Sequence, residues 1–312
     1  MFMRNILPLL SAILLWSCGD SLPTEKPVEK GPLELTIDNE VYNFYPNAIH
    51  AKIDNENQMY VYITYARTPF MTYDLVFWFD NDHFSKVSLL RYKKDEKPYG
   101  TADFDPLKWF SVRNYKYNPV TRDLSFEYDG KLFESLSEVN TSSKSIALKG
   151  KVDLQGIQKE GSGTQNVARA TFDSGNFSFY SIHREKMRNT QNDILTEHHY
   201  FTNNGYRLSF TLDPTVTNSF PPVPRRYSFD SNSNENKITF YQFTGEPRHT
   251  GGIGEFIIRT EDWKSYPCTG SFTVTEIFNV GSERVTKGTF AMEIYNGNEI
   301  IHKIDNGNFL IK

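Results

Sequence analysis

Between residues 59 and 65 the chain alternates without a break. Met59, Val61, Ile63 and Tyr65 fall on one face of an extended segment, and Tyr60, Tyr62 and Thr64 fall on the other. A period of two cannot be buried by a helix, whose faces recur about every 3.6 residues, so this pattern demands a strand. Residues 206–212, 271–275 and 289–295 read the same way. Asp129-Gly130, Asn204-Gly205, Asn296-Gly297 and Asn306-Gly307 each lie between strand-like runs. Such dipeptides accept the positive φ angles of tight hairpins, so all of them are expected at turns. Helical periodicity is weak, and only residues 183–195 offer a short helix. The expectation is an all-β protein built of antiparallel sandwich or barrel-like sheets.

Composition agrees. Aromatic residues make up 15% of the chain, with 24 Phe and 18 Tyr, and such rings are favoured on pleated, half-buried surfaces. Exposed rings that stack on sugars are the functional alternative. The formal charge of −4 argues against a nucleic-acid partner, which wants a basic face. The densest basic groups, Arg91-Tyr92-Lys93-Lys94 and Arg225-Arg226, are small and read as solvated faces.

Residues 155–166 carry Gly156, Gly161 and Gly163, few apolar residues and no alternation, as a linker or long loop would. Weak self-similarity flanks them. Lys149-Gly150 and Lys287-Gly288 are 138 residues apart, and Asn43-Phe44 and Asn176-Phe177 are 133 apart. Two tandem β domains are expected, at 33–154 and 167–312, joined by the linker.

The first 32 residues stand apart. Arg4 precedes a short apolar stretch from residue 6 to residue 16, too short for a membrane span, which needs about 20 residues. A charged start and a short apolar core make a secretory signal, expected over residues 1–17. Leu15-Trp16-Ser17-Cys18 resembles the lipobox of bacterial lipoproteins, with Leu at −3, a small residue at −1 and then the cysteine. Trp16 stands at −2 where a small or aliphatic residue is usual. The resemblance implies a diacylglycerol on the Cys18 thiol, cleavage before it, and a membrane partner held through acyl chains. One chain anchors only marginally, so two or three are needed for stable attachment. Pro23, Pro27 and Pro32 with alternating charge make residues 19–32 an extended tether, reaching roughly 40 Å. Tethers of this kind resemble those of Bacteroidota surface lipoproteins. That implies a bacterial outer membrane, with the periplasmic and the surface face both open. The close of the chain, Lys287-Gly-Thr-Phe-Ala-Met followed by a hairpin and Ile304-Asp-Asn-Gly-Asn-Phe, resembles the carboxy-terminal pattern of Bacteroidota lipoproteins of unassigned function. It implies a small antiparallel β domain and transfers no catalytic residue.

Chemistry is sparse. Cys268 is the only cysteine beyond Cys18, so a lipidated Cys18 leaves no internal disulfide and no cysteine-based metal cluster. Glu197-His198-His199 places two histidines side by side, but adjacent side chains on a strand face opposite ways, so a solvated strand is the expectation there. Asp230-Ser-Asn-Ser-Asn-Glu alternates oxygen side chains as a calcium loop would, yet Glu235 and Tyr241 stand where an EF-hand needs Gly and Glu. Asp80-Asn81-Asp82 is shorter still, and both are expected to be turns. Gly161-Ser162-Gly163 lacks the G-x-S-x-G spacing and its strand-to-helix context. Cys268 follows Pro267 without an assignable histidine. No cofactor, metal or catalytic residue is expected. The reading is a non-enzymatic, lipid-anchored envelope protein that binds a glycan or an outer-membrane protein. The alternatives are a structural part of adhesion or fimbria assembly, and a carboxylate glycosidase whose pair has no sequence signature.

Overall fold

The computed structural model describes residues 33–37, 39–42, 49–53, 58–68, 71–80, 83–91, 97–103, 106–135, 137–159, 167–173, 177–179, 184–188, 196–202, 204–218, 223–249 and 260–312. Gly31–Lys312 form one compact unit, which holds all of them. The expected signal, Cys18 and the tether lie outside the described residues, as do Ser162 and residues 160–166 of the expected linker.

The protein is all-β. Its first half builds β1 (Leu33–Ile37), β2 (Glu40–Tyr42), β3 (Ile49–Ile53), β4 (Gln58–Thr68), β5 (Met71–Asp80), β6 (His83–Arg91), β7 (Tyr99–Gly100), β8 (Phe110–Asn118), β9 (Asp123–Glu134), β10 (Ser137–Glu138), β11 (Ser145–Leu154) and β12 (Gln158–Lys159). All but β10 join one 11-stranded sheet, in the order β12-β3-β4-β5-β6-β7-β9-β11-β1-β2, with β8 pairing β9 off this path. Residues of one parity, such as Val61, Ile63, Leu75, Phe77, Val87 and Leu89, are fully buried on its inner face. Phe77 sits at the centre, 5.1 Å from Phe126 and 4.8 Å from Tyr128 between ring centroids.

The second half builds β13 (Val167–Phe172), β14 (Phe177–Phe179), β15 (Arg184–Arg188), β16 (Thr196–Phe201), β17 (Tyr206–Leu212), β18 (Arg225–Phe229), β19 (Lys237–Phe243), β20 (Arg248–His249), β21 (Trp263–Tyr266), β22 (Cys268–Val280), β23 (Glu283–Asn296) and β24 (Glu299–Ile311). A 6-stranded sheet runs β14-β13-β24-β23-β22-β18, and a 5-stranded sheet runs β15-β16-β17-β19-β21. Phe210 of the smaller sheet meets Phe290 and Phe309 of the larger, at 5.6 and 5.2 Å, so the two sheets share one sandwich core. Among the described residues, Phe and Tyr rings make up much of both cores. The largest fully buried side chains are Phe and Tyr throughout.

Several expectations change. Asn204-Gly205 and Asn296-Gly297 do turn hairpins, with Gly205 at φ 80° and Gly297 at φ 64°. Asp129-Gly130 and Asn306-Gly307 instead lie inside β9 and β24. Gly307 faces Phe290 across the ladder, and a Cβ there would run into the Phe290 ring. Close approach, not a turn, requires that glycine. Residues 184–188 of the possible helix form β15, and residues 189–195 lie outside the described residues.

The two halves share part of their strand pairing. β1 pairs with β11 and β2, as β13 pairs with β24 and β14. Lys149-Gly150 on β11 therefore corresponds to Asn306-Gly307 on β24, not to Lys287-Gly288 on β23. Thr36-Ile37 ends β1 as Thr171-Phe172 ends β13, 135 residues later and again followed by Asp. The boundary between halves is tighter than a free linker from 155 onward. Ile157 is buried in the first core, and β12 pairs in parallel with β3. β10 and β20, one from each half, form a 2-stranded sheet of their own.

Candidate functional site

β22, β23 and β24 carry short side chains on the face turned away from the sandwich core. Their inner face explains why they can lie so close. Gly288 opposes Phe309 and Gly307 opposes Phe290, so each ring covers the glycine on the neighbouring strand. On the outer face the register aligns Arg226 of β18, Thr273, Thr289 and Asn308 in one row across four strands. Ser271 and Ala291 oppose each other in the next row. There the register slips between Phe290 and Met292, so Asp305 and Asn306 stand as extra residues against Ala291. Such a bulge re-aims side chains out of the ladder. Short residues in the middle and longer ones at the rim leave an open groove of ≈ 370 Å³. The Arg226 guanidinium donates from Nη2 to Ser271 Oγ at 3.0 Å. Lys303 Nζ lies 3.4 Å from Asp305 Oδ1 on the opposite rim. The groove thus offers hydroxyls, amides, one cation and one carboxylate on a shallow surface, which suits a hydroxyl-rich ligand.

A second cluster sits at one end of the sandwich. Asp173 Oδ2 lies 3.0 Å from His302 Nδ1, and Asp173 Oδ1 accepts the Lys303 N–H at 2.9 Å. Burial opposes ionisation of Asp173, but these hydrogen bonds prevail and hold its carboxyl below the ordinary value. The His302 ring stacks on Phe172 at 5.4 Å, with Tyr206 and Phe240 edge-on, each at 5.8 Å. The pair orients an imidazole, as a general base requires. Nucleophilic catalysis needs a hydroxyl or thiol hydrogen-bonded to that base. Among the described residues, the partners of His302 are Asp173 and aromatic rings.

The adjacent histidines are not on a solvated strand. His198 and His199 are 2% and 5% exposed. They do face opposite ways: His198 opposes Phe210 on the core side, and His199 opposes Ser209 on the other. His199 Nδ1 lies 2.6 Å from Ser209 Oγ. Burial first, and Arg207 second, push the His199 pKa down to about 4, so the Glu197 carboxylate 3.7 Å away faces a neutral ring at pH 7. Arg207 itself lies 3.7 Å from the Tyr241 ring centre and 5.0 Å from that of Trp263. Cation–π contact of this kind compensates a desolvated guanidinium.

Asp230 forms a turn, as expected. Its Oδ1 accepts the Asn232 N–H at 2.8 Å, and its own N–H donates to Ser233 Oγ at 3.0 Å. Cys268 is buried, its Sγ donates to the Tyr266 carbonyl at 3.2 Å, and burial pushes its pKa up to about 12. A thiol that stays protonated is a poor nucleophile.

Sequence reading missed Arg226 as a rim residue, and it passed over Asp173 and His302, which are 129 residues apart. The Gly-x-Phe strings around Gly288 and Gly307 mark the close packing on the inner face beneath the groove. No family model, curated protein or solved structure matches the chain.

Proposed function

We propose that this is a non-enzymatic binding protein, held on a bacterial outer membrane by acyl chains on Cys18, whose groove takes a glycan. The observation that carries the binding reading is the row Arg226, Thr273, Thr289 and Asn308 lining one open groove. Hydroxyl and amide side chains match the donors and acceptors of a sugar, and the fixed sheet places them without an ordering cost. Leu15-Trp16-Ser17-Cys18 and the proline-spaced tether support the anchor. Arg225 and Arg226, both exposed on the edge strand β18, disfavour strand addition along that edge. That counts against polymer assembly as the alternative.

A glycan array probed with detergent-solubilised full-length protein tests this reading. Thr289→Tyr fills the groove from an exposed mid-strand position, and Arg226→Ala removes its cation. The expected result is binding to at least one glycan class, weakened at least roughly tenfold by each change, which corresponds to about 1.4 kcal/mol. Undiminished binding by both variants, or no glycan bound by the parent, would remove the groove as the site.

A further inference from the structure

Residues 247–249 leave the second half and lie against the first. The Pro247 carbonyl accepts the Val139 N–H at 2.7 Å, and the Arg248 carbonyl accepts the Asp103 N–H at 2.9 Å. Between them, β20 pairs with β10, with His249 opposite Ser137 and Arg248 opposite Glu138. The His249 side chain then turns inward. It is 4% exposed and packs against Gly100 of β7, where a Cβ would come within 2.8 Å of its Nε2 and closer still to Cε1. Neither ring nitrogen completes a hydrogen bond of good geometry, although the Thr101 backbone is within reach.

We propose that residues 247–249 form a proton-operated latch, closed on the first half while His249 is neutral and released when it is protonated. The charged groups around it fix the sign. Lys86 on β6 faces His249; its ammonium lies 4.9 Å from the Trp78 ring centre and is itself near Asp103. Burial lowers the Lys86 pKa, with Asp103 opposing. Arg248, next along the strap, is held by Asp262 Oδ2 at 3.4 Å. An imidazolium beside a buried ammonium, and away from water, is disfavoured twice over. Accordingly burial first, and Lys86 second, push the His249 pKa down to about 4, against a smaller upward pull from the Thr101 backbone.

Once the strap lifts, His249 returns to water and to an ordinary pKa of about 6.5. Between these two values the open form binds a proton that the closed form rejects. The opening equilibrium therefore rises on acidification, by on the order of 100-fold from pH 7 to pH 4.

Hydrogen exchange read by mass spectrometry on the full-length protein, corrected for intrinsic exchange rates, measures this directly. The Val139 and Asp103 amides report the strap. The Lys131 amide, bonded to the Trp109 carbonyl at 2.9 Å, serves as a control within the first half. Protection at Val139 and Asp103 should fall roughly 100-fold from pH 7 to pH 4 while Lys131 holds. His249→Gln should flatten that response, and His199→Gln should leave it intact. Unchanged protection in the parent, or the same fall in His249→Gln, overturns the latch. Should His249→Gln not fold, the Cε1–H resonance of His249 in the parent decides. A titration midpoint below pH 5 supports the latch, and a midpoint near 6.5 overturns it.

Discussion

Replacing Phe210 by alanine is expected to cost about 3–5 kcal/mol, the range for truncating a buried phenylalanine. Phe210 is fully buried and touches Tyr200 at 5.4 Å within its own sheet, and Phe290 and Phe309 across the sandwich. Its removal opens a cavity between two sheets whose strands cannot collapse without breaking their ladders. Thermal unfolding followed by circular dichroism should show Tm lower by roughly 10 °C. Leu107→Ala provides the comparison, since Leu107 is 57% exposed and should change stability by at most about 0.5 kcal/mol. A loss below about 1 kcal/mol for Phe210→Ala would mean that the two sheets do not share a tight core.

The second large effect comes from adding a single methyl rather than removing a ring. Gly288→Ala should destabilise by about 1–3 kcal/mol or more. Its Cβ would lie 2.6 Å from Phe309 Cε1 and would also collide with the Thr273 carbonyl oxygen, a backbone atom that cannot move aside cheaply. Gly281→Ala is the instructive contrast. Nothing lies within 4 Å of its Cβ, so only the positive φ of 60° opposes the change, at roughly 1–2 kcal/mol. Chemical denaturation of both variants separates the two causes. Adding Phe309→Leu should relieve part of the Gly288→Ala loss and none of the Gly281→Ala loss. Strictly additive effects for Gly288 and Phe309 would contradict the ring-over-glycine packing.

How much of this was legible in the sequence depends on the range of the interaction. Alternation over 59–65 and 206–212 set the strands, although over 206–212 both faces turn out to be buried, which the alternation does not reveal. Asn204-Gly205 and Asn296-Gly297 were legible from the local pattern too. Asp129-Gly130 and Asn306-Gly307 carry the same local chemistry, yet they sit mid-strand. Their glycines are required by Trp109, Phe110 and Phe290, neighbours that the dipeptide itself does not reveal. His198 and His199 were expected in water because a strand with two histidines reads as polar. Their burial depends on what covers the strand, and His199 is compensated by Ser209 from the next one. The repeated Lys-Gly strings fall on β11 and β23, strands with different ladder partners, so the strings by themselves do not align the halves. The true partners of Lys149-Gly150 emerged only from the ladders. Asp173 with His302, and His249 with Gly100, join elements far apart in the chain, and no local signal marks either.

Anchoring through Cys18 is tested most directly by mass spectrometry of the mature amino-terminal peptide from membranes of a bacterium expressing the full-length chain. The expected peptide begins at Cys18 and carries a diacylglycerol on its thiol, and Cys18→Ala should lose both that mass and retention in the membrane fraction. A mature chain that starts elsewhere, or that carries an unmodified Cys18, would contradict a lipid-anchored protein.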